Sequence, residues 1–147
     1  MLDLVLAVAH HLLIFMLAGV LTAELVMLRP GLDAGGVRRI AAIDMWYGLL
    51  AGLILAVGFS RAIFAAKGWD YYSHNLFFWG KLLAFAVIGI LSIWPTMAYL
   101  HWRRAGIAPD DGQVAGLRRY LWAQVMLFRL LLIFAAAMAR GYGELGS

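Results

Sequence analysis

Cysteine is absent from this 147-residue sequence, and charged residues are scarce. The absence of cysteine excludes disulfides, iron–sulfur clusters and thiolate zinc sites. Only 14% of the residues are charged and 65% are hydrophobic, whereas a soluble domain carries about 25% charged residues. The sequence also lacks a glycine-rich phosphate loop, a nucleophile elbow and paired catalytic carboxylates, which argues against a hydrolase or a nucleotide-driven machine. A surface this poor in charge is solvated by lipid rather than by water.

The apolar residues are gathered into four long runs. A membrane-spanning helix needs roughly 20 mostly apolar residues, and each run is longer than that. The breaks between runs carry residues that end helices, as in Arg29-Pro30-Gly31 and Pro109-Asp110-Asp111-Gly112. The sequence therefore predicts an all-α fold, a polytopic transmembrane four-helix bundle that forms one domain over residues 1–147. The predicted helices cover about residues 2–28, 38–66, 75–102 and 117–140.

The basic residues near the helix ends indicate how the bundle is oriented. In short loops, Lys and Arg collect on the cytoplasmic side of a membrane. One side of this bundle carries only Lys67 and Arg140, and the other carries Arg29, Arg38, Arg39, Arg103, Arg104, Arg118 and Arg119. This distribution predicts a bacterial inner-membrane protein with both termini in the periplasm. The net charge of +4 is thus a sign of membrane topology and does not indicate a nucleic-acid partner.

Several ionisable side chains fall inside the predicted spans, where each is costly and is by default a functional hypothesis. They are His10, His11, Glu24, Asp44, Arg61, Lys81 and Arg129. At a rise of about 1.5 Å per residue, His10, Arg61 and Lys81 each lie roughly 8–10 Å below the outer end of their helix. Three helices thus place a His, an Arg and a Lys at one depth. The outer half of the bundle is therefore predicted to bind an anionic group.

The inner half of the bundle carries carboxylates instead. Glu24 and Asp44 lie roughly one to two turns from the cytoplasmic face, close to the loop arginines. We expect them to form structural ion pairs, with Arg118 as a cation. Arg129, near the middle of the fourth helix, can reach Asp44 or can face the outer cavity and help to bind a cofactor there.

Simpler interpretations stand beside these functional ones. Arg61 and Lys81 are close enough to the interface to extend their charged ends into water. His10 can be a packed histidine that is hydrogen-bonded to a neighbouring helix. The coincidence of the three side chains at one depth favours a ligand site over these alternatives.

Several ligands suit an outer site of this composition. A b-type haem needs an imidazole for its iron and cations for its propionates. His10 offers the metal ligand, and the other candidates for binding the cofactor are His11, Arg61, Lys81 and Arg129. A quinone or an anionic lipid head group can use the same cations. A zinc or copper site from His10, His11 and His74 is a further alternative, although no spacing is diagnostic of one.

Two short segments carry a resemblance to known families. Ala7-Val8-Ala9-His10, with Gly19 further along, is similar to the start of the HemJ family of membrane protoporphyrinogen oxidases. Phe78-Trp79-Gly80-Lys81-Leu82-Leu83, followed by Arg103-Arg104, resembles the Trp-x-x-Lys-Leu segment of that family and the matching helix of the CopD copper-resistance family. In length and helix spacing the chain resembles a bacterial family of predicted inner-membrane proteins of unknown function.

The HemJ resemblance implies haem b and oxidation of protoporphyrinogen IX. It would make His10 a haem ligand or substrate base and Lys81 its functional partner, so that both are candidate catalytic residues. The sequence departs from the HemJ pattern at Ser92-Ile93-Trp94, the stretch in which that family carries a further histidine.

The leading hypothesis is a membrane protein that binds a tetrapyrrole, haem b, in its outer half and acts as an oxidoreductase with quinone or porphyrinogen. The alternatives are a non-catalytic membrane bundle and a module that transports copper or another small solute. Gly48 and Gly52 form a small-xxx-small pair that permits close helix approach, which is compatible with a homo-oligomer.

Overall fold

The computed structural model describes residues 1–64 and 68–143, and the regular elements within these ranges are helices. The bounds are α1 Leu2–Met27, α2 Ala34–Phe64, α3 Gly68–Ser73, α4 Leu76–Ala105 and α5 Asp111–Ala139. The four longer helices are each long and apolar enough to cross a membrane. They confirm the predicted all-α, four-span fold. The short helix α3 is an addition that the apolar runs did not predict.

Two helices begin earlier than the apolar runs predicted, because polar side chains cap them. α2 begins at Ala34 and not at residue 38, and the Asp33 carboxylate accepts a 2.6 Å hydrogen bond from the Gly36 N–H. α5 begins at Asp111 and not at residue 117, and Asp110 and Gln113 form a capping box at its start. Each cap satisfies N–H groups that have no partner inside the helix. The predicted end of the second helix at residue 66 lies outside the described residues.

The four long helices form a ring in the order α1, α2, α4, α5. The most extensive contacts join α1 to α2 and α4 to α5, while α2 with α4 and α1 with α5 complete the ring. The α3–α4 junction also holds the end of the described chain, since the Leu76 N–H donates to the Gly143 carbonyl and the Asn75 amide donates to the Tyr142 carbonyl. We call this the terminal end of the bundle, and the opposite end, with residues 28–33 and 106–110, the loop end.

Only a minority of the apolar side chains of the bundle are buried. Between 11% and 33% of the residues in the most apolar stretch of each long helix are buried. The buried minority forms a core that includes Leu17, Leu21, Ile40, Leu50, Ile88 and Leu121. Large exposed side chains such as Phe15, Trp46 and Leu83 cover the outside. This distribution suits a bundle that is solvated by lipid, in which a helix turns only a narrow stripe toward its neighbours.

Arg118 closes the loop end by capping α1. Its guanidinium donates a 2.7 Å hydrogen bond to the Leu25 carbonyl and a further, short one to the Leu28 carbonyl. The last carbonyls of a helix have no partner within that helix. The guanidinium binds these carbonyls and not the carboxylates of Glu24 or Asp44. The ion pairs predicted between Arg118 and these carboxylates are therefore not formed.

Replacing Arg118 with Met should destabilise the bundle, because two carbonyls at the end of α1 then lose a charged donor. We expect Arg118→Met to lower the free energy of unfolding by about 2 kcal/mol, since a hydrogen bond to a charged group contributes roughly 1.5–3 kcal/mol. The measurement is unfolding in mixed detergent micelles, followed by tryptophan fluorescence. Arg119→Met is the matched control, because Arg119 is exposed. Equal losses in the two variants would contradict the capping role.

Candidate functional site

A cavity of about 280 Å³ lies among the four long helices in the half of the bundle nearest the terminal end. Its wall is mainly apolar and aromatic, with contributions from Ile54, Phe85, Phe128 and Leu131. The polar part of the wall consists of His10, His11, Arg61, Tyr72 and Lys81. An apolar cavity with a few convergent polar groups is the usual form of a small-molecule site.

The structure brings together the three side chains that the sequence placed at one depth. His10 comes from α1, Arg61 from α2 and Lys81 from α4, and all three line the cavity. Each is half-buried. Arg61 and Lys81 both act electrostatically on His10. His11 also lines the cavity, but it is exposed, and its Nδ1 lies 2.7 Å from the Ala7 carbonyl oxygen.

The cavity holds positive charge that has no counter-charge in its wall. Among the residues that the structure describes, the lining includes no Asp or Glu side chain. The Nε of Arg61 is buried and has no hydrogen-bond partner. Because a cation shielded from water is costly without a partner, this part of the bundle is suited to a ligand that supplies negative charge.

Gly58 sets the position of the His10 ring. A Cβ built on Gly58 would lie 3.2 Å from Cε1 and 3.7 Å from Nδ1 of His10, so this edge of the imidazole faces the backbone of α2. The Nδ1 atom is buried there without a hydrogen-bond partner. The other ring nitrogen, Nε2, lies more than 4 Å from that Cβ position and is therefore the nitrogen available to a ligand. Nothing in the sequence pointed to Gly58, because its role depends on which face of α2 packs against α1.

Two other candidates lie elsewhere. Arg129 is exposed on α5 and does not line the cavity, and its nearest polar contact is the Met126 sulfur at 4.0 Å. The prediction that Arg129 helps to bind a cofactor in the outer cavity is therefore not supported by its position. His74 lies at the α3–α4 junction, exposed and hydrogen-bonded to the Asp70 carbonyl. It does not join His10 and His11 at the cavity.

The two intramembrane carboxylates lie in the other half of the bundle. Glu24 and Asp44 are buried, and the Thr96 hydroxyl donates a 2.9 Å hydrogen bond to the Asp44 carboxylate. Neither lines the cavity. The bundle thus separates its cation-rich half from its carboxylate half, as the sequence predicted.

The contact between Gly58 and His10 can be tested with two alanine variants of α2. Replacing a helical Gly with Ala stabilises a helix by up to about 1 kcal/mol, and Gly52→Ala should show this gain because nothing lies within 4 Å of a Cβ at that position. Gly58→Ala should show less gain or a loss, because the new methyl group must displace the His10 ring. The measurement is the thermal midpoint of both variants in one detergent. Equal shifts would contradict the close packing.

The comparisons with known proteins agree with this architecture. The chain matches the family model described as "Predicted membrane protein (DUF2214)" over residues 2–143. No curated protein and no solved structure matches the chain. The match covers all four long helices together with α3, and therefore includes the cavity and both groups of ionisable side chains. The chain belongs to the DUF2214 family of predicted membrane proteins.

Proposed function

We propose that this membrane protein binds a tetrapyrrole, haem b, in the cavity at the terminal end of the bundle. The observation that carries the proposal is the meeting of His10, Arg61 and Lys81 in one apolar cavity whose described wall contains no carboxylate. An imidazole, two cations and aromatic walls together match a flat, apolar, anionic group that carries a metal.

The unpaired atoms of the site support this assignment. The Nδ1–Cε1 edge of His10 is held against Gly58, which leaves Nε2 as the atom to ligate iron. Arg61 has a buried Nε without a partner, and its guanidinium and the Lys81 ammonium would hold the propionates. The apolar wall, which includes Phe85 and Phe128, would exclude water from the macrocycle.

Haem b, when bound, supplies a one-electron redox couple. In this proposal the protein exchanges electrons with a quinone or a porphyrinogen, both of which partition into a membrane, and so acts as a membrane oxidoreductase. The resemblance of the segments around His10 and Lys81 to the HemJ family favours a porphyrinogen. Because Ser92-Ile93-Trp94 stands where that family has another histidine, the histidines available at this cavity are His10 and His11, and His10 is the proposed iron ligand.

The size of the cavity favours a second candidate. Small-molecule sites usually enclose about 300–1,000 Å³, so a volume of about 280 Å³ is just below that range. An anionic lipid head group needs less room than a macrocycle and would use the same two cations. The protein would then be a non-catalytic bundle. A copper module has less support, because the described residues contain no group of three His, Asp or Glu side chains that could hold a metal ion.

Haem binding predicts a visible spectrum that depends on the cavity side chains. Detergent-purified protein supplied with haem should show a Soret band that sharpens on reduction with dithionite. His10→Ala should abolish this spectrum. Lys81→Met should weaken haem binding about tenfold to a hundredfold, because a hydrogen bond to a charged group contributes roughly 1.5–3 kcal/mol.

His101→Ala is the matched control for the haem experiment, because His101 is exposed near the loop end, far from the cavity. It should keep the full spectrum. A colourless wild-type protein after haem supplementation would rule out the haem proposal and leave the head-group candidate. Full pigment in Lys81→Met would rule out the contact between Lys81 and a propionate.

We also propose that the chain lies in a bacterial inner membrane with the terminal end in the periplasm, on the basis of the Lys and Arg distribution. The absence of cysteine makes this directly testable with single-cysteine variants. His74→Cys, at the terminal end, should react with a membrane-impermeant maleimide in intact spheroplasts. Ala108→Cys, at the loop end, should react only after lysis. The reverse pattern would invert the orientation.

A further inference from the structure

A second polar site occupies the loop half of the bundle, apart from the cavity. Two hydrogen-bonded pairs, Tyr47 with Gln124 and Thr96 with Asp44, lie there with Glu24 and Tyr99, which interact electrostatically with these groups, and we call the six residues the core polar cluster. Every long helix contributes at least one of them. None of the six lines the cavity. The cluster therefore has a chemistry of its own, independent of the proposed haem site.

The cluster is only partly hydrogen-bonded. The Tyr47 hydroxyl donates a 2.9 Å hydrogen bond to the Gln124 amide oxygen, and Thr96 donates to Asp44. Three other buried atoms have no partner: Glu24 Oε1, the Tyr99 hydroxyl and Gln124 Nε2. Their residues are 2%, 0% and 1% exposed. Because each buried polar atom without a partner costs about 1–3 kcal/mol, three of them at one place indicate an occupant.

The charge of the cluster points to a positive occupant. Glu24 and Asp44 lie at the same level of α1 and α2, because each is fourteen residues along its helix from the contact between His10 and Gly58, and the two carboxylates act on each other electrostatically. The Arg118 guanidinium nearby is occupied by the carbonyls of Leu25 and Leu28. Two uncompensated carboxylates inside a membrane are costly, so the pair attracts a unit of positive charge.

The available ligand atoms favour a proton over a metal cation. The Gln124 amide oxygen already accepts a hydrogen bond from Tyr47, and the Gln124 amide nitrogen can only donate. Thr96 uses its proton on Asp44. Hard cations such as Ca²⁺ take six or more oxygen ligands, which this set does not supply. A protonated carboxyl needs only an acceptor, and the unfilled donors of Tyr99 and Gln124 suit the carboxyl oxygens or a bridging water.

We propose that Glu24 and Asp44 form a proton-binding pair that holds one exchangeable proton. The proton leaves one carboxyl as H⁺, and that carboxylate then accepts hydrogen bonds from the surrounding donors. The groups that face the pair are Tyr47 from α2, Thr96 and Tyr99 from α4 and Gln124 from α5, with Arg118 beyond them toward the loop end.

The loop end is the nearer source of water for exchange of this proton, and the half-buried Arg118 guanidinium is the polar group between the cluster and that end. Glu24 lies about one helical turn, roughly 6 Å, from Leu28 at the end of α1, whereas roughly 21 Å of helix separates it from His10. Leu17 and Leu21, both buried in the core, lie between Glu24 and His10 along α1. They close the direct route from the cluster to the cavity.

The test is infrared difference spectroscopy of the full chain in liposomes, between an alkaline buffer and a buffer of about pH 6, in which exposed carboxyls stay ionised. The wild type should show one carbonyl-stretch band of a protonated carboxylic acid that appears on acidification and shifts in D₂O. Glu24→Gln or Asp44→Asn should remove this band. Asp3→Asn is the matched control, because Asp3 is exposed at the start of α1, and it should keep the band.

Two further measurements test the proposal independently of the carboxyl variants. Tyr99→Phe retains both carboxyls and removes only the unpaired hydroxyl, so it should shift the band without abolishing it, even if the carboxyl variants fail to fold. Replacing choline with sodium at constant pH should leave the spectrum unchanged. A carboxylate band that responds to sodium, a carboxylic-acid band that never titrates, or no such band in the wild type would each overturn the proposal.

Discussion

The hydrocarbon core of a membrane contains no hydrogen-bond donors or acceptors, so the polar groups of this bundle must find their partners within the protein. The backbone meets this constraint by forming helices throughout the spans. The helix ends need separate partners, which are supplied by Asp33, by the Asp110–Gln113 capping box and by Arg118. Among the described residues, most of the ionisable side chains within the spans gather at two places, the cavity and the core polar cluster, whereas Arg129 stays exposed on α5.

These two places carry opposite charge and do not neutralise each other. The cavity gathers Arg61 and Lys81, while the core polar cluster contains both buried carboxylates, Glu24 and Asp44. If these charged residues served only the stability of the fold, we would expect the cations to pair with the carboxylates, because an unpaired charge inside a membrane is destabilising. Keeping them apart is favourable only if each place receives its own counter-charge. The proposed anionic ligand of the cavity and the proposed proton of the cluster would provide this.

The depth of a residue along its helix could be predicted from the sequence. The face of the helix on which that residue lies, relative to the neighbouring helices, could not. The four spans follow from the lengths of the apolar runs. The meeting of His10, Arg61 and Lys81 follows from the fixed rise per residue, which sets depth. The outward position of Arg129 and the packing of Gly58 on His10 depend on which face of each helix meets its neighbour. Arg118 was assigned to the carboxylates because the sequence does not show that the end of α1 is closer.

The hydrogen bond between Tyr47 and Gln124 joins α2 to α5, which lie on opposite sides of the ring. A hydrogen bond between opposite helices limits how far a four-helix ring can widen, because movement at the interfaces between neighbouring helices would stretch that bond. In the described part of the chain, this bond lies toward the loop end, and the opposite half surrounds a cavity. We therefore expect the two ends to differ in stiffness. The loop end should act as a rigid base, and the helices should spread apart at the terminal end when a ligand enters or leaves.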